Sequence, residues 1–250
     1  MEEWMKSFEN CTLCPRKCGV NRSTGKAGAC HVDAQMRVAR AALHFWEEPC
    51  ISGEEGSGAV FFTGCSLGCV FCQNTEISRG QAGENVSVER LAEIYLNLQE
   101  QGANNINLVT AGHYAPAVAE SLRRAKDMGL QISVVFNSSG YELPDTLRLL
   151  DGLVDIYLPD MKYMDEELAG KYSHAQNYPD VAKAALEEMV RQCPVCEFDE
   201  RGRMKKGVIV RHLLLPGHVK ESKAVLKYLH ETYQDQIYIS IMSQYTPMPQ

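Results

Sequence analysis

Three cysteines in one short stretch are the residues of this sequence best suited to metal chemistry. The stretch GCSLGCVFCQN, residues 64–74, contains Cys65, Cys69 and Cys72 at the spacing C-x3-C-x2-C. Three thiolates could bind three irons of a [4Fe-4S] cluster and leave the fourth iron open to a substrate or cofactor. The alternatives are a zinc knuckle that a distant residue completes and a redox-inert cluster. The spacing raises the question of which group supplies the fourth ligand.

Four more cysteines near the start of the chain form a second candidate site. Cys11, Cys14, Cys18 and Cys30 have the spacing C-x2-C-x3-C-x11-C. Four thiolates would completely fill either a zinc site or an auxiliary iron-sulfur cluster. A filled site has a structural or electron-relaying role, and it would add folding energy to a small loop-rich module. The spacing does not distinguish zinc from an iron-sulfur cluster. His31, next to Cys30, is predicted to be a surface residue.

The other three cysteines receive no role. Cys193 and Cys196 form a lone CxxC in a polar loop, and such a pair without partners is a weak metal signal. Both are predicted to remain reduced. Cys50 is kept as a thiol close to the site without an assigned function. Ten cysteines in one chain favour metal ligands over disulfides in a reducing compartment.

Composition excludes several classes of function. The chain has 250 residues, of which 45% are hydrophobic and 23% charged, and its formal net charge is -7. This charge disfavours nucleic acid and anionic membranes as partners, because both require a concentrated basic surface. The N-terminus carries acids where a secretory signal needs basic residues, and no run of about 18 apolar residues is present. We therefore expect a cytoplasmic protein.

Six short apolar or β-branched runs predict strands, and helix-period segments separate them. The runs are residues 59–63, 106–110, 132–136, 154–158, 208–215 and 237–242. Helices are predicted at 87–102, where Ser87 is the N-cap candidate, and at 115–129, where Pro116 lies in the first turn. This alternation predicts an α/β fold with a parallel sheet whose sites lie at the carboxyl ends of the strands. Residues 1–56 do not fit the alternation and are predicted to be a cysteine-rich module before a barrel at 57–250.

The three-cysteine loop follows the first predicted strand directly, which is where a barrel places its chemistry. Its spacing resembles the signature of the radical S-adenosylmethionine (SAM) superfamily. The resemblance implies a partial (β/α)6 TIM-like barrel and a [4Fe-4S] cluster whose fourth iron binds the amino and carboxylate groups of SAM. It also implies that Phe71 lies where members of the superfamily contact adenine. Because the chain stops soon after the sixth predicted strand, the resemblance suggests a C-terminal truncation.

The resemblance also implies a reaction. A one-electron donor such as flavodoxin or ferredoxin reduces the cluster, and SAM is cleaved to methionine and a 5'-deoxyadenosyl radical that takes hydrogen from a substrate. Three segments, CTLCPRKCGVNRSTGKAGAC (11–30), EEPCISGEEGSG (47–58) and CVFCQNTEIS (69–78), are similar to proteins of the pyruvate formate-lyase-activating-enzyme-like subgroup. The subgroup suggests a glycyl-radical enzyme as the partner.

Segments at other strand ends supply candidate SAM contacts. Members of the superfamily often carry Gly-Gly-Glu after the second strand, where this chain has TAGH and no acid, so the contact is assigned to Thr110 and to backbone around Gly112. Asn137 and Ser139 follow the third strand and could contact ribose or carboxylate, although a plain turn uses the same residue types.

The later strand ends add charged candidates. Asp160 and Lys162 resemble the Asp-x-Lys segment of glycyl-radical activating enzymes, and alternation along an extended segment points both side chains to one face. The alternative is a surface ion pair. Arg211 lies within an apolar run and is predicted to face the barrel lumen, which places His212 on the opposite face in a structural role. Gln244, with Tyr245, is a candidate contact to substrate or adenine after the sixth strand.

Two classes of function remain open. The first is a radical SAM enzyme, acting either as a glycyl-radical activase or on a small molecule or peptide. The second is a non-catalytic electron carrier with two clusters. A carrier requires four cysteines at each site, whereas the loop at residues 64–74 contains three. The Asp160 and Lys162 segment favours the activase, and the altered TAGH segment argues against equating the chain with pyruvate formate-lyase activation.

Overall fold

A computed structural model describes residues 3–247. Its strands are β1 (Arg37–His44), β2 (Ser57–Phe62), β3 (Glu84–Asn85), β4 (Asn105–Val109), β5 (Ser133–Ser138), β6 (Ile156–Pro159), β7 (Glu197–Phe198), β8 (Met204–Leu213) and β9 (Tyr238–Met242). Its α-helices are α1 (Pro49–Ser52), α2 (Thr75–Ser78), α3 (Val88–Glu100), α4 (Ala115–Asp127), α5 (Pro144–Arg148), α6 (Glu166–Ser173), α7 (Tyr178–Gln192) and α8 (Val219–Tyr233). Short 3-10 turns include Glu3–Phe8, Arg22–Thr24 and Gly112–Tyr114.

The six predicted strands all form, as β2, β4, β5, β6, β8 and β9. Each pairs in parallel with the next in that order. The intervening helices complete a mixed α/β fold with a central parallel sheet, as expected of a partial TIM-like barrel. The carboxyl ends of the strands therefore meet at one end of the sheet, where the predicted site residues come together.

Strand β1 is an addition that the sequence analysis missed. It lies within residues 1–56, which were predicted to be loop-like, and it pairs antiparallel with β2 from Val38↔Phe62 to His44↔Ser57. Its sequence, RVARAALH, is rich in alanine and arginine, which have little strand preference, so pairing with β2 determines its conformation. This strand of the predicted N-terminal module thus belongs to the sheet of the barrel, and the domain boundary after residue 56 stays a prediction.

Alternation along the strands separates the outer core from the lumen of the barrel. In β4, Ile106 and Leu108 are fully buried in the core shared with the helices, so Asn105 and Asn107 point to the other face. Helix α1 closes the amino-terminal end of the lumen. Its Ile51 is buried in a second apolar cluster inside the barrel, and the Asn105 side chain donates to the Ile51 carbonyl at 2.8 Å. Apolar packing therefore fills the amino-terminal end of the lumen.

The two predicted crossover helices are present with their expected ends. Ser87 caps α3, its side-chain oxygen accepting a hydrogen bond from the Arg90 amide at 3.1 Å. Helix α4 carries Pro116 in its first turn. Within residues 3–247, none of the helices has the length and apolar character needed to span a bilayer.

Candidate functional site

The three-cysteine loop, residues 64–74, leaves β2 through a turn that requires glycine. Gly64 has φ +94°, and a Cβ there would lie 2.7 Å from the Cys30 carbonyl oxygen and 2.9 Å from a methyl of Val32. The amide of Cys65 donates to the same Cys30 carbonyl at 3.2 Å. The loop is therefore joined by backbone contacts to the segment that contains the N-terminal cysteines.

The thiols of this loop accept hydrogen bonds from neighbouring groups. The Ser173 hydroxyl donates to the Cys69 sulfur at 2.9 Å, and the Leu67 amide lies 3.4 Å from the Cys65 sulfur. Burial raises the pKa of Cys65 and raises that of Cys69 to about 11, while the positive charge of Lys162 opposes the rise. Metal ligation removes the thiol proton, so these donors are placed to stabilise the thiolates.

The arrangement fits a multinuclear cluster better than one ion. In the described part of the chain, no three His, Cys, Asp or Glu side chains converge as ligands of a single metal ion. The ligands of a [4Fe-4S] cluster bind different irons, so their sulfurs do not need to converge. Cys65, Cys69 and Cys72 lie close enough to interact electrostatically, and they could each bind one iron of such a cluster.

A network of charged side chains lies at the carboxyl ends of the strands beside this loop. Asp160 accepts from the Lys162 ammonium at 2.5 Å and from the Arg211 guanidinium at 3.0 Å. Arg211 also donates to Asn137 at 2.6 Å and to Glu47 at 3.2 Å. The structure thus brings together four residues that were predicted from separate strand ends: Asn137, Asp160, Lys162 and Arg211. Glu47, which was not predicted, also belongs to this network.

Burial and the attraction between opposite charges shift the pKa values of these groups in opposite directions. Burial alone would raise the pKa of Asp160, but Arg211 and Lys162 hold it below its usual value. For Lys162 and Arg211, burial alone would lower the pKa, but the charge of Asp160 raises it for both residues. All three groups are therefore charged at neutral pH. An ion network of this kind holds its side chains rigidly in place.

Sequence reasoning missed Glu47, although it lies in the EEPC segment at the end of the N-terminal module. It lies in the short connection between β1 and α1, from which its carboxylate reaches Arg211 and Asn137. Burial raises the pKa of Glu47, and Arg211 opposes this rise. Among residues 3–247, one buried oxygen of the neighbouring Glu48 has no hydrogen-bond partner, and both polar side-chain atoms of Asn107 also lack one. The only sequence signal was a pair of acids immediately before a proline.

The TAGH turn contains no acidic residue, but the buried Glu142 lies beside it. Thr110 has φ +60°, an unusual value for a β-branched residue, and its amide donates to the Asn137 carbonyl at 2.8 Å. A Cβ on Gly112 would lie 3.5 Å from a carboxylate oxygen of Glu142. Burial raises the pKa of Glu142 to about 7, against the lowering effect of a 2.9 Å hydrogen bond from Ser138. Glu142 therefore supplies a carboxyl group next to the turn.

The remaining predicted residues have different surroundings. Ser139 contributes its backbone carbonyl, which accepts from the Tyr178 hydroxyl at 2.8 Å. His212 is buried on the outer face of β8, and its ring contacts the Met161 carbonyl at 2.7 Å, as its predicted structural role requires. Gln244 is exposed and lies outside the charged network, although it was predicted to contact substrate or adenine.

Two clefts border the three-cysteine loop. A cleft of about 660 Å³ is lined by Phe71 and Tyr245 together with Lys171, Tyr172 and His218. A second cleft, of about 410 Å³, lies between the loop and the N-terminal module. Its lining includes Cys65, Cys69, Arg16 and His31. Phe71 and Tyr245 therefore share one cavity, while two of the three loop cysteines border the other.

The four N-terminal cysteines are neighbours in space. A Cβ on Gly28 would lie 3.4 Å from the Cys18 sulfur and 3.6 Å from the Cys30 sulfur. The charges of Cys11, Cys18 and Cys30 all act on Cys14, whose pKa burial raises to about 11. Elsewhere, Cys50 packs at the floor of the barrel.

Cys193 is buried with its sulfur 3.3 Å from the Asp155 carbonyl oxygen, and Cys196 lies 3.5 Å from that of Gln236. The CxxC pair thus contacts backbone carbonyls before β8.

Comparison with known proteins places this geometry in a family. Residues 59–229, more than half of the chain, match the Radical SAM superfamily. The chain is also 29% identical over 248 residues to the uncharacterized protein MJ0674 of Methanocaldococcus jannaschii. That similarity covers 96% of this chain and 67% of the relative. The match begins in β2 and includes the three-cysteine loop and all the charged strand ends except Glu47. The chain belongs to the Radical SAM superfamily.

Proposed function

We propose that this chain cleaves SAM reductively and directs the resulting radical to a substrate at the open end of the barrel. When bound, a [4Fe-4S] cluster supplies the electron that splits SAM into methionine and a 5'-deoxyadenosyl radical, which then takes a hydrogen atom. The observation that carries the proposal is the three-cysteine loop directly beside the ion network of Asp160, Lys162 and Arg211.

The protein's share is to bind and orient the reactants. Cys65, Cys69 and Cys72 would bind three irons, and Ser173 would stabilise the Cys69 thiolate through its hydrogen bond. The Lys162 ammonium lies close enough to attract the negative charge on Cys69. Lys162 would therefore partly neutralise the thiolates of the loop and favour acceptance of an electron at that end of the barrel.

Glu142 is the proposed partner of the SAM ammonium group. In related proteins an acid of the Gly-Gly-Glu segment contributes to this contact, and here the corresponding TAGH turn has none. The Glu142 carboxyl lies beside Gly112 of that turn, where an approaching cation would favour its charged form. Arg211 and Asn137 are the proposed donors to the SAM carboxylate or ribose, because both present polar groups at the same strand ends.

The substrate we propose is a backbone glycine of a partner glycyl-radical enzyme. The flanking amides stabilise a radical at the α-carbon of glycine. Support comes from Asp160 and Lys162, which resemble the Asp-x-Lys segment of glycyl-radical activating enzymes and make a direct ion pair here. Flavodoxin or ferredoxin is the proposed electron donor.

One observation favours a compact substrate instead. The cleft of about 660 Å³ is lined by Phe71 and also by Lys171, Arg79 and His218. Three basic or titratable side chains around a cavity of this size suit a small anionic molecule or an acidic peptide. The same chemistry at the three-cysteine loop would serve this substrate class.

The deciding experiment starts from anaerobically reconstituted protein. Addition of SAM is expected to change the electron paramagnetic resonance spectrum of the reduced cluster, and 5'-deoxyadenosine is expected to form with a strong reductant. Cys65→Ala, Cys69→Ala and Cys72→Ala should each abolish both signals. Cys196→Ala is the matched control, because it removes a partly buried thiol far along the chain and should change neither. A SAM-insensitive spectrum in the wild type contradicts the proposal.

The substrate is tested with candidate partners that carry deuterated glycine. Deuterium transfer into 5'-deoxyadenosine, together with a glycyl radical signal on the partner, is the result expected of an activase. SAM cleavage without transfer from any such partner would instead favour the small-molecule or peptide substrate. Absence of cleavage would return the chain to the class of electron carriers.

A further inference from the structure

Arg22 is a buried cation to which residues 3–247 supply no carboxylate partner. It lies in the 3-10 turn Arg22–Thr24 and is 1% exposed. Its terminal nitrogens donate to the carbonyls of His113 and Asp33, each at 2.7 Å, and its guanidinium stacks on the rings of Phe8 and Tyr114. Among the described residues, none of the ion pairs involves Arg22. A buried guanidinium remains charged, so this site needs a compensating anion.

The group that Arg22 faces is a set of thiols. Its Nη1 atom lies 3.6 Å from the Cys11 sulfur, and its buried Nε atom has no hydrogen-bond partner within the described part of the chain. A methylene carbon of its side chain also approaches the Gly28 position, around which the sulfurs of Cys18 and Cys30 lie. Neutral thiols would leave the cation uncompensated. Thiolates would compensate it, and four adjacent thiolates require a bound cationic metal.

We propose that Cys11, Cys14, Cys18 and Cys30 hold a metal centre whose negative charge Arg22 balances. The four side chains do not converge on the position of a single ion among the described residues, so a [4Fe-4S] cluster, whose ligands bind different irons, is the centre that fits them. Four thiolates around an oxidised [4Fe-4S] cluster carry a net charge of about -2, which explains a buried guanidinium that points at sulfur. The four ligands belong to the same short segment, which has little apolar core of its own, so the metal would also supply folding energy to it.

This centre supports the three-cysteine loop of the barrel. The carbonyl of Cys30, the last of the four ligands, accepts the amide of Cys65 at 3.2 Å. Between the second and third ligands, Arg16 donates to the Ser66 carbonyl at 2.8 Å and to the Leu67 carbonyl at 3.2 Å. Order imposed on the N-terminal segment by a metal is thereby transmitted to the loop through hydrogen bonds. The inference itself does not depend on SAM cleavage.

The test uses a full-length variant in which Cys65, Cys69 and Cys72 are all replaced by alanine. It is purified after anaerobic reconstitution with iron and sulfide, and separately after supplementation with zinc. We expect it to retain about two to four irons with matching sulfide per chain and no stoichiometric zinc. Adding Cys14→Ala and Cys18→Ala should remove the iron, whereas adding Cys193→Ala and Cys196→Ala should not. Absence of stoichiometric iron and sulfide from the first variant overturns the proposal.

Arg22 is tested separately by the rate at which a chelator removes the metal. Arg22→Met keeps much of the apolar stem but removes the charge, and it should release metal about tenfold faster. Arg22→Lys keeps the charge and should release it at a rate closer to wild type. Equal rates for all three proteins would refute the role of Arg22 as counter-charge.

Mapping of cysteine alkylation in the native wild-type chain covers the case in which variants misfold. The four N-terminal cysteines should react only after a chelator is added, with the half-buried Cys196 as internal reference. Rapid alkylation of the four before chelation would overturn the metal centre.

Discussion

Glu142→Gln is the substitution whose effect the structure predicts most sharply. Glu142 is 7% exposed, and burial raises its pKa to about 7 from the 4.5 of an ordinary glutamate. Its folded-state pKa is therefore higher than its unfolded-state pKa, and the folded chain binds more protons between these values. The stability linked to this group is complete below about pH 4.5, falls as the pH rises, and is lost above about pH 7. Fully developed, the loss amounts to about 3 kcal/mol.

The variant removes the titrating group but retains an oxygen that can accept the Ser138 hydrogen bond. In the cluster-free state, the free energy of unfolding of Glu142→Gln minus that of wild type should therefore be about 2 kcal/mol larger at pH 8.5 than at pH 5. Urea unfolding followed by circular dichroism at both pH values measures this gain. Glu100→Gln, at an exposed position, is the matched control and should show no such gain. A stability difference between Glu142→Gln and wild type that does not vary with pH would refute the assignment of a raised pKa.

The same variant separates a binding role from a structural one. If Glu142 contacts the SAM ammonium, its replacement removes a charge-assisted hydrogen bond of about 1.5–3 kcal/mol and should weaken SAM binding about 10- to 100-fold. The fold would then be more stable at alkaline pH while the ligand binds less tightly. Equilibrium dialysis of labelled SAM against the reconstituted protein measures the affinity, and unchanged affinity would exclude the proposed contact.

Three further substitutions test neighbouring features. Arg16→Met removes the donor to the Ser66 carbonyl, which should destabilise the three-cysteine loop by about 1–3 kcal/mol. A chelator should therefore remove iron several-fold faster than from wild type, and an unchanged rate would contradict a stabilising role of this hydrogen bond. Gly140→Ala places a Cβ 2.2 Å from the Asp160 carbonyl oxygen at φ +76°, so the free energy of urea unfolding should fall by at least about 2 kcal/mol. Arg211→Met leaves the buried Glu47 carboxylate without its ion-pair partner and Asp160 with Lys162 alone, so the free energy of unfolding should fall by about 3–5 kcal/mol. Arg211→Lys should cost less, and equal losses for the two variants would show that the charge is unimportant there.

The parts of this protein that the sequence determined by itself are local. The spacing of Cys65, Cys69 and Cys72 places three thiols on one loop wherever that loop lies, because the ligands are separated by only two and three residues. The six barrel strands were also predictable, since apolar and β-branched runs between helix-period segments specify buried parallel strands. Asp160 and Lys162 could be predicted for the same reason, because side chains two residues apart on an extended segment point to the same face. Their ion pair in the structure agrees with this local rule.

Tertiary structure decided the partners of these groups. Glu47 lies 164 positions from Arg211, and Glu142 reaches the TAGH turn from the loop after the next strand. Neither pairing has a sequence signal, because both depend on how the sheet closes and on which face each loop packs. Strand β1 forms because β2 offers it an edge to pair with, although its own residues prefer no strand. Arg22 is the clearest case: in sequence it is one of 25 basic residues, and only burial beside four thiols makes its charge costly enough to require an anion.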